Sequence, residues 1–228
     1  MGDARGVPQE AEEAAEEAGG RWGFAAAESR DRGGAEQAAQ DAAQTGDKYD
    51  ELLAKGARYD SKQDHRNAAK AYRKAVALEP NQPVAYFNLG NALSTSGHYV
   101  EAAQRYLEAK GRFSAGSVDW AEATALAFCL LQHECAEEAK PAWWNDDGLK
   151  ALSARVVRVA PNDVAANQMR ALVLSGCVTS WEVGPRSAAE LKEAAKLFDQ
   201  AAALSDAPAQ KAGFASAAAV CRSQTVAM

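Results

Sequence analysis

The sequence predicts an all-α chain, a helical-repeat solenoid of about four antiparallel helix pairs closed by a C-terminal capping helix. Three observations carry this. Alanine supplies 54 of the 228 residues, and alanine is the strongest helix former and packs helices closely. Strand-favouring side chains are scarce, with aromatics at only 7%, which argues against a sandwich or barrel. Small and aromatic residues also return at a spacing of 34: Gly56 and Gly90, Ala68 and Ala102, Tyr72 and Tyr106, Ala75 and Ala109. A fixed period of that length is the mark of a stacked two-helix unit.

Residues 1–47 come first and are set apart by charge. They hold 11 acidic residues and 4 arginines, a net of −7, while residues 48–228 carry a net of +1. Val7, Trp22 and Phe24 are their only large apolar side chains besides Met1. So little burial cannot offset the entropy of ordering, and a disordered acidic Ala/Glu/Gly-rich tail is expected. Within it, Glu10–Ala18 can form a transient helix, and Arg21 to Phe24 can form a short docking motif. The polar, acidic start is not that of a secretory signal. The longest apolar run, Ala125–Leu131, is far short of the roughly 20 residues of a membrane span. A soluble, cytoplasmic protein without a membrane span is expected.

Two regular units follow, at 49–82 and 83–116. The second reads Tyr86-x2-Leu89-Gly90-x2-Leu93, then Gly97-x-Tyr99-x2-Ala102-x3-Tyr106-x2-Ala109. The first reads Leu52, Gly56-x2-Tyr59, Ala68-x3-Tyr72-x2-Ala75-x4-Pro80. Together they resemble the tetratricopeptide repeat family. Tyr86 stands in the family's tryptophan slot and Leu93 in its second aromatic slot. The departures are Lys55, Gln63 and His65 in the first unit, and Ser114, in place of proline, in the second. The physics of the slots is plain: the glycines and alanines let paired helices approach. Tyr72 and Tyr106 fill the gap to the next helix, and Pro80 stops one helix before another begins.

Two divergent units are expected at 117–163 and 164–206. Trp120 falls one period after Tyr86, and the register then breaks at an insertion around Pro141–Gly148. Leu149–Ala160 would supply the third unit's second helix. The fourth unit would start near Asn162, run to about Gly176 and loop through Trp181 and Pro185. Ser187 and Glu190 form a capping-box pattern that opens its second helix. A capping helix at 207–223 would cover the apolar end of the stack.

No residue pattern points to catalysis, a metal or a cofactor. The histidines at 65, 98 and 133 form no metal-binding helix motif, and no phosphate loop, dinucleotide fingerprint or nucleophile elbow occurs. Cys129, His133 and Cys135 lie close in sequence, but their spacing is not that of a zinc module. Buried helix cysteines acting as small apolar residues are expected instead. Asp146 and Asp147 suit a helix start better than shared acid–base work. The basic first unit (Lys55, Arg58, Lys62, Arg66, Lys70, Arg73, Lys74) can meet phosphates, an acidic partner or the protein's own acidic tail. The acidic balance of the whole chain argues against nucleic acid.

The resemblance implies a function. In that family the first helices of successive pairs line a concave groove that binds peptides. In this chain the groove would show Leu53 and Ala57, then Phe87, Asn88, Asn91 and Thr95, then Glu122 and Ala125, then Gln168. Asparagine can bond both the N–H and the C=O of an extended backbone, and Phe87 would seat an apolar anchor. Members that dock the acidic C-termini of heat-shock chaperones use a basic clamp. Here only its Asn88 is present; Leu53, Ala57, Val118 and Glu122 replace the rest, and Glu122 would repel a carboxylate. The expectation is a non-catalytic adaptor or scaffold for a protein or peptide partner other than a chaperone tail. The alternative is a regulatory or assembly subunit of an enzyme complex, contacting partners through Trp143, Trp144 and Trp181 on the insertions.

Overall fold

The computed structural model describes residues 48–132, 140–177 and 181–226. The tail with its docking motif, and His133 and Cys135 of the metal alternative, lie outside the described residues. The described residues form nine helices and no strands. In chain order they are α1 Lys48–Ser61, α2 His65–Leu78, α3 Pro83–Thr95, α4 Tyr99–Lys110 and α5 Val118–Leu131. Then come α6 Asp146–Val159, α7 Val164–Ser175, α8 Ala188–Leu204 and α9 Pro208–Val226. Each helix packs on the next, and α5 also packs on α7. This is a right-through stack of α1–α2, α3–α4, α5–α6 and α7–α8 pairs, with α9 laid against α8.

Local chemistry sets the boundaries. Asp64, Ser117, Asn145, Asp163 and Ser187 each accept a backbone N–H of the first turn of their helix. Each such cap stabilises its helix by about 1 kcal/mol. Ser187 and Glu190 complete the reciprocal box at α8, and Pro83 opens α3 at its first turn. Asp146 and Asp147 do start a helix: both lie in the first turn of α6, where the dipole favours negative charge.

The 34-residue register is a packing register. A Cβ placed on Gly56 would lie 2.3 Å from the Tyr72 ring, and one on Gly90 2.8 Å from the Tyr106 ring. The rings occupy the space that a side chain would need. Ala68, Ala75, Ala102 and Ala109 are fully buried beside them. The turn of each pair needs a left-handed residue. Gly97 supplies it at φ +77 in the second unit, and Gln63 is forced into it at φ +59 in the first.

The core has two parts. The larger runs from α2 to α7 and holds Trp120, Phe128, Trp143, Trp144 and Trp181. The smaller joins α7, α8 and α9 through Leu174, Phe198, Phe214 and Cys221. The tryptophans correct one expectation. Trp143 and Trp144 are 9% and 8% exposed and Trp181 is 8% exposed, so they are not outward contact points. Phe128, Trp144 and Trp181 pack ring on ring at 5.3–6.0 Å. They turn inward because each ring buries more apolar area than a solvated insertion could leave in water.

Candidate functional site

The first helices of the four pairs are α1, α3, α5 and α7. On α3, Val84, Asn88, Asn91 and Thr95 follow at steps of four, three and four, which places them on one stripe. One period later on α5 stand Val118, Glu122, Ala125 and Cys129. The openings differ along the stripe. Val84 is 43% and Val118 59% exposed, whereas Ala125 is fully buried and Cys129 is 7% exposed. The face is open at the starts of α3 and α5 and closed at the end of α5.

The sequence-derived groove residues divide into three groups. Phe87 is buried, edge-on to Tyr106 at 5.6 Å and to Phe113 at 6.2 Å. It belongs to the core and does not offer an open apolar seat. The periodicity alone could not show that Phe113, beyond the end of α4, would come back to cover it. Leu53 is half-buried against the same core, and Ala57 is half-buried beside Gly56. Asn91 and Thr95 are tied to the scaffold on one side. The Tyr106 hydroxyl donates to Asn91 Oδ1 at 2.7 Å, and Thr95 Oγ1 donates to the Asn91 carbonyl at 3.0 Å. The Asn91 amide nitrogen keeps its two donors. Asn88 and Gln168 are half-buried, and neither side chain makes a hydrogen bond among the described residues.

Tyr106 is the floor of this region, and it was read from sequence only as a spacer. Burial pushes its phenol well above the usual tyrosine range, and the nearby Glu122 and Cys129 add to that. Burial likewise pushes the Cys129 thiol up to about 12, so it is neutral and unreactive at neutral pH. The phenol therefore stays a fixed hydrogen-bond donor to Asn91, holding that amide in one orientation.

A second polar cluster lies at the insertions. Arg186, with a 7% exposed side chain, holds Asp146 through its two terminal guanidinium nitrogens and donates to the Val173 carbonyl at 2.9 Å. Trp181 Nε1 donates to the same carboxylate at 3.2 Å. Lys150 bridges Asp146 at 3.4 Å and Glu190 at 2.8 Å. The result ties α6, the end of α7, the 181–187 loop and the start of α8 together. The Arg186 hydrogen bonds hold Asp146 far below the usual carboxylate range. Glu190, held by Lys150 and the Ser187 backbone, is lowered to about 2. Every charge here has a partner in the chain, so the cluster is a fastening, with no acid or base left for chemistry.

One further correspondence appears only in the structure. Tyr86 Oη donates to the Pro80 carbonyl at 3.0 Å, and Asn167 Nδ2 donates to the Pro161 carbonyl at 2.8 Å. Both donors stand six residues after the proline. Asn167 thus does the work of the ring in the family's tryptophan slot, and a search for aromatics in that slot passes over it.

Stacked antiparallel pairs with a partly open first-helix face define a helical-repeat module of the kind that mediates protein–protein interactions. The family model for the TPR repeat, the tetratricopeptide repeat, matches residues 56–97, from the close-packed glycine of α1 to the left-handed glycine after α3. The likeness to the tetratricopeptide repeat is shown for that stretch of the chain. Neither a curated protein nor a solved structure matches it. No helix among the described residues is long and apolar enough to cross a membrane.

Proposed function

We propose that this protein is a non-catalytic adaptor or scaffold that holds a peptide or helix of a partner protein against the first-helix face of α3 and α5, extended by α7. One observation carries the reading: Asn88 presents an amide with no hydrogen bond among the described residues, between exposed Val84 and Val118. A half-buried amide without an internal partner is poised to bond a backbone from outside. Asn91, oriented by Tyr106, adds donors beside it; Thr95, Glu122 and Gln168 border the same face. Leu53 and Phe87 contribute shape from beneath. The ligand this suits is neutral to mildly apolar. Acidic carboxy-terminal chaperone tails are disfavoured because Glu122 and Val118 stand where cations would be required.

The test is an affinity capture with the full chain, wild type against the double substitution Asn88→Arg and Val118→Glu. Both sites are solvent-accessible, so circular dichroism should be unchanged. Loss in the variant of a partner that binds the wild type supports the reading. Equal capture by both proteins sinks it. The alternative of an assembly subunit that grips through Trp143, Trp144 and Trp181 lacks its contact residues, because those rings are interior.

A further inference from the structure

The first helix pair carries charge that its own fold does not use. Lys55 and Arg58 lie on α1, Lys62 in the turn after it, and Arg66, Lys70, Arg73 and Lys74 on α2; all are exposed. Antiparallel pairing brings Arg58, Lys62 and Arg66 together at the turn end of the pair, with Lys55 and Lys70 within about two turns of it. The carboxylates of that end are committed elsewhere. Asp60 accepts from Tyr72 Oη at 3.0 Å and contacts His65 Nδ1 at 3.0 Å. Asp64 caps α2 through Asn67. Asp50, Glu51 and Glu79 sit at the opposite end of the pair. Arg73 is paired with Glu101 at 2.8 Å, and Lys70 donates to the Asn67 side chain at 3.3 Å while its charge helps to lower the pKa of Asp64. Lys55, Arg58, Lys62, Arg66 and Lys74 form no ion pair among the described residues.

Asp64 at the N-cap places one negative charge at the start of α2, where the helix dipole favours it. Asp60 and Asp64 are two carboxylates against Arg58, Lys62, Arg66 and Lys70 at that end, and the excess of positive charge suits an anion from outside the pair. One lies in the same chain: residues 10–17 include Glu10, Glu12, Glu13, Glu16 and Glu17 and no basic residue. The 30 residues from 18 to 47 have a covalent reach of at most about 100 Å. Helix α1 is roughly 21 Å long, so covalent length allows the segment to reach either end of it. Attachment to the same chain raises the segment's local concentration, which favours it over a free polyanion. The net charge of −6 further disfavours nucleic acid.

We propose that the acidic segment 10–17 docks on the basic turn end of α1 and α2 of its own chain. The contact is electrostatic and reversible, and it lies away from the α3–α5 face, so the two surfaces can be tested separately.

The experiment is zero-length carbodiimide cross-linking of the full chain, with equal parts of natural-abundance and 15N-labelled protein, read by mass spectrometry. The expected result is cross-links within single chains from the 10–17 glutamates to Lys55, Lys62 or Lys70 at 50 mM salt. Their yield should fall at least fivefold at 500 mM salt. It should fall similarly at the remaining lysines in Arg66→Glu with Lys70→Glu, both solvent-facing changes. Absence of these cross-links, cross-links only between differently labelled chains, or yields indifferent to salt would overturn the proposal. So would submicromolar binding of a fluorescein-labelled 20-nucleotide DNA strand at 150 mM salt that abolishes the cross-links.

Discussion

The first two helix pairs and the last two reach the same stacking by different chemistry. In α1–α4 the close approach is made by absence: glycines at 56 and 90 leave room for the rings of Tyr72 and Tyr106, and alanines line the crossings. In α5–α8 the small-residue register lapses, and the space is filled by Phe128, Trp143, Trp144 and Trp181. There a charged fastening replaces the register, with Arg186 joining Asp146 across 40 residues of sequence. The contrast teaches where a repeat tolerates insertion. A unit whose helices are held by interdigitated small residues cannot take a longer turn without losing register. A unit held by rings and ion pairs supplied by the insertion itself can.

The largest effect should come from emptying the aromatic cluster. Trp144→Ala removes the ring that touches Phe128, Trp143 and Trp181, and such truncations cost about 3–5 kcal/mol. Urea denaturation should show that loss. Hydrogen exchange should place the loosening in α5–α8, with α1–α4 less affected. Equal loosening of both halves would show that the stack melts as one unit and that the contrast has no energetic meaning.

Asp146→Asn comes next. It leaves the Arg186 guanidinium buried without its counter-charge, for which about 3 kcal/mol is the expected penalty. The same pair gives the halves different responses to acid. Asp146 and Glu190 are depressed in the fold, so their contribution is full above the ordinary carboxylate range. It is lost as pH falls below about 4 toward the folded values. Asp60 is raised, chiefly by burial; its contribution is present when it is protonated and is lost as pH rises through its folded value. Asp163, raised for the same reason, works in the Asp60 direction at the start of α7. Hydrogen exchange at pH 3.5 and pH 7, corrected for intrinsic rates, should show the α6–α8 fastening weakening in acid more than α1–α2, where the raised Asp60 opposes the lowered Asp64 of the α2 cap. In Asp146→Asn that response should be much reduced.

How far these differences were legible in the sequence follows from range. The 34-residue matches, the capping box at Ser187 and Glu190, and the helix start at Asp146 and Asp147 each rest on a short or repeating pattern, so they could be read directly. The inward turn of Trp143, Trp144 and Trp181 depends on which rings meet across the fold, and nothing periodic encodes that. Arg186 and Asp146 are invisible as a pair for the same reason. At the candidate site the stripe of Asn88, Asn91 and Thr95 was legible as helical spacing. The burial of Phe87 was not, because it depends on Phe113 returning from beyond α4.

A smaller effect tests the regular half. Gln63 adopts the left-handed conformation that glycine adopts at the matching turn, φ +59 against +77 at Gly97. That conformation costs a residue with a Cβ about 1–2 kcal/mol, offset in part by the greater chain entropy glycine loses on folding. Gln63→Gly should therefore stabilise the protein by about 0.5–1 kcal/mol in urea denaturation. A loss of stability would mean that the first turn is not under the strain its register implies.

The smallest expected stability change belongs to Asn88→Ala, and its smallness is what makes it informative. Asn88 makes no hydrogen bond among the described residues and is only half-buried, so removing its amide should change stability by less than about 0.5 kcal/mol. A residue kept for the fold would cost more. Tyr106 offers the contrast from the same region: its hydroxyl is spent on Asn91, and Tyr106→Phe should cost about 1 kcal/mol through that lost bond. If Asn88→Ala costs as much as Tyr106→Phe, its amide serves the stack and the open face loses its chief support. If Asn88→Ala is neutral in urea while a captured partner dissociates at least tenfold faster, the amide works outside the fold. That pairing of no stability cost with a binding loss is what separates a surface used for recognition from one more contact in a helical stack.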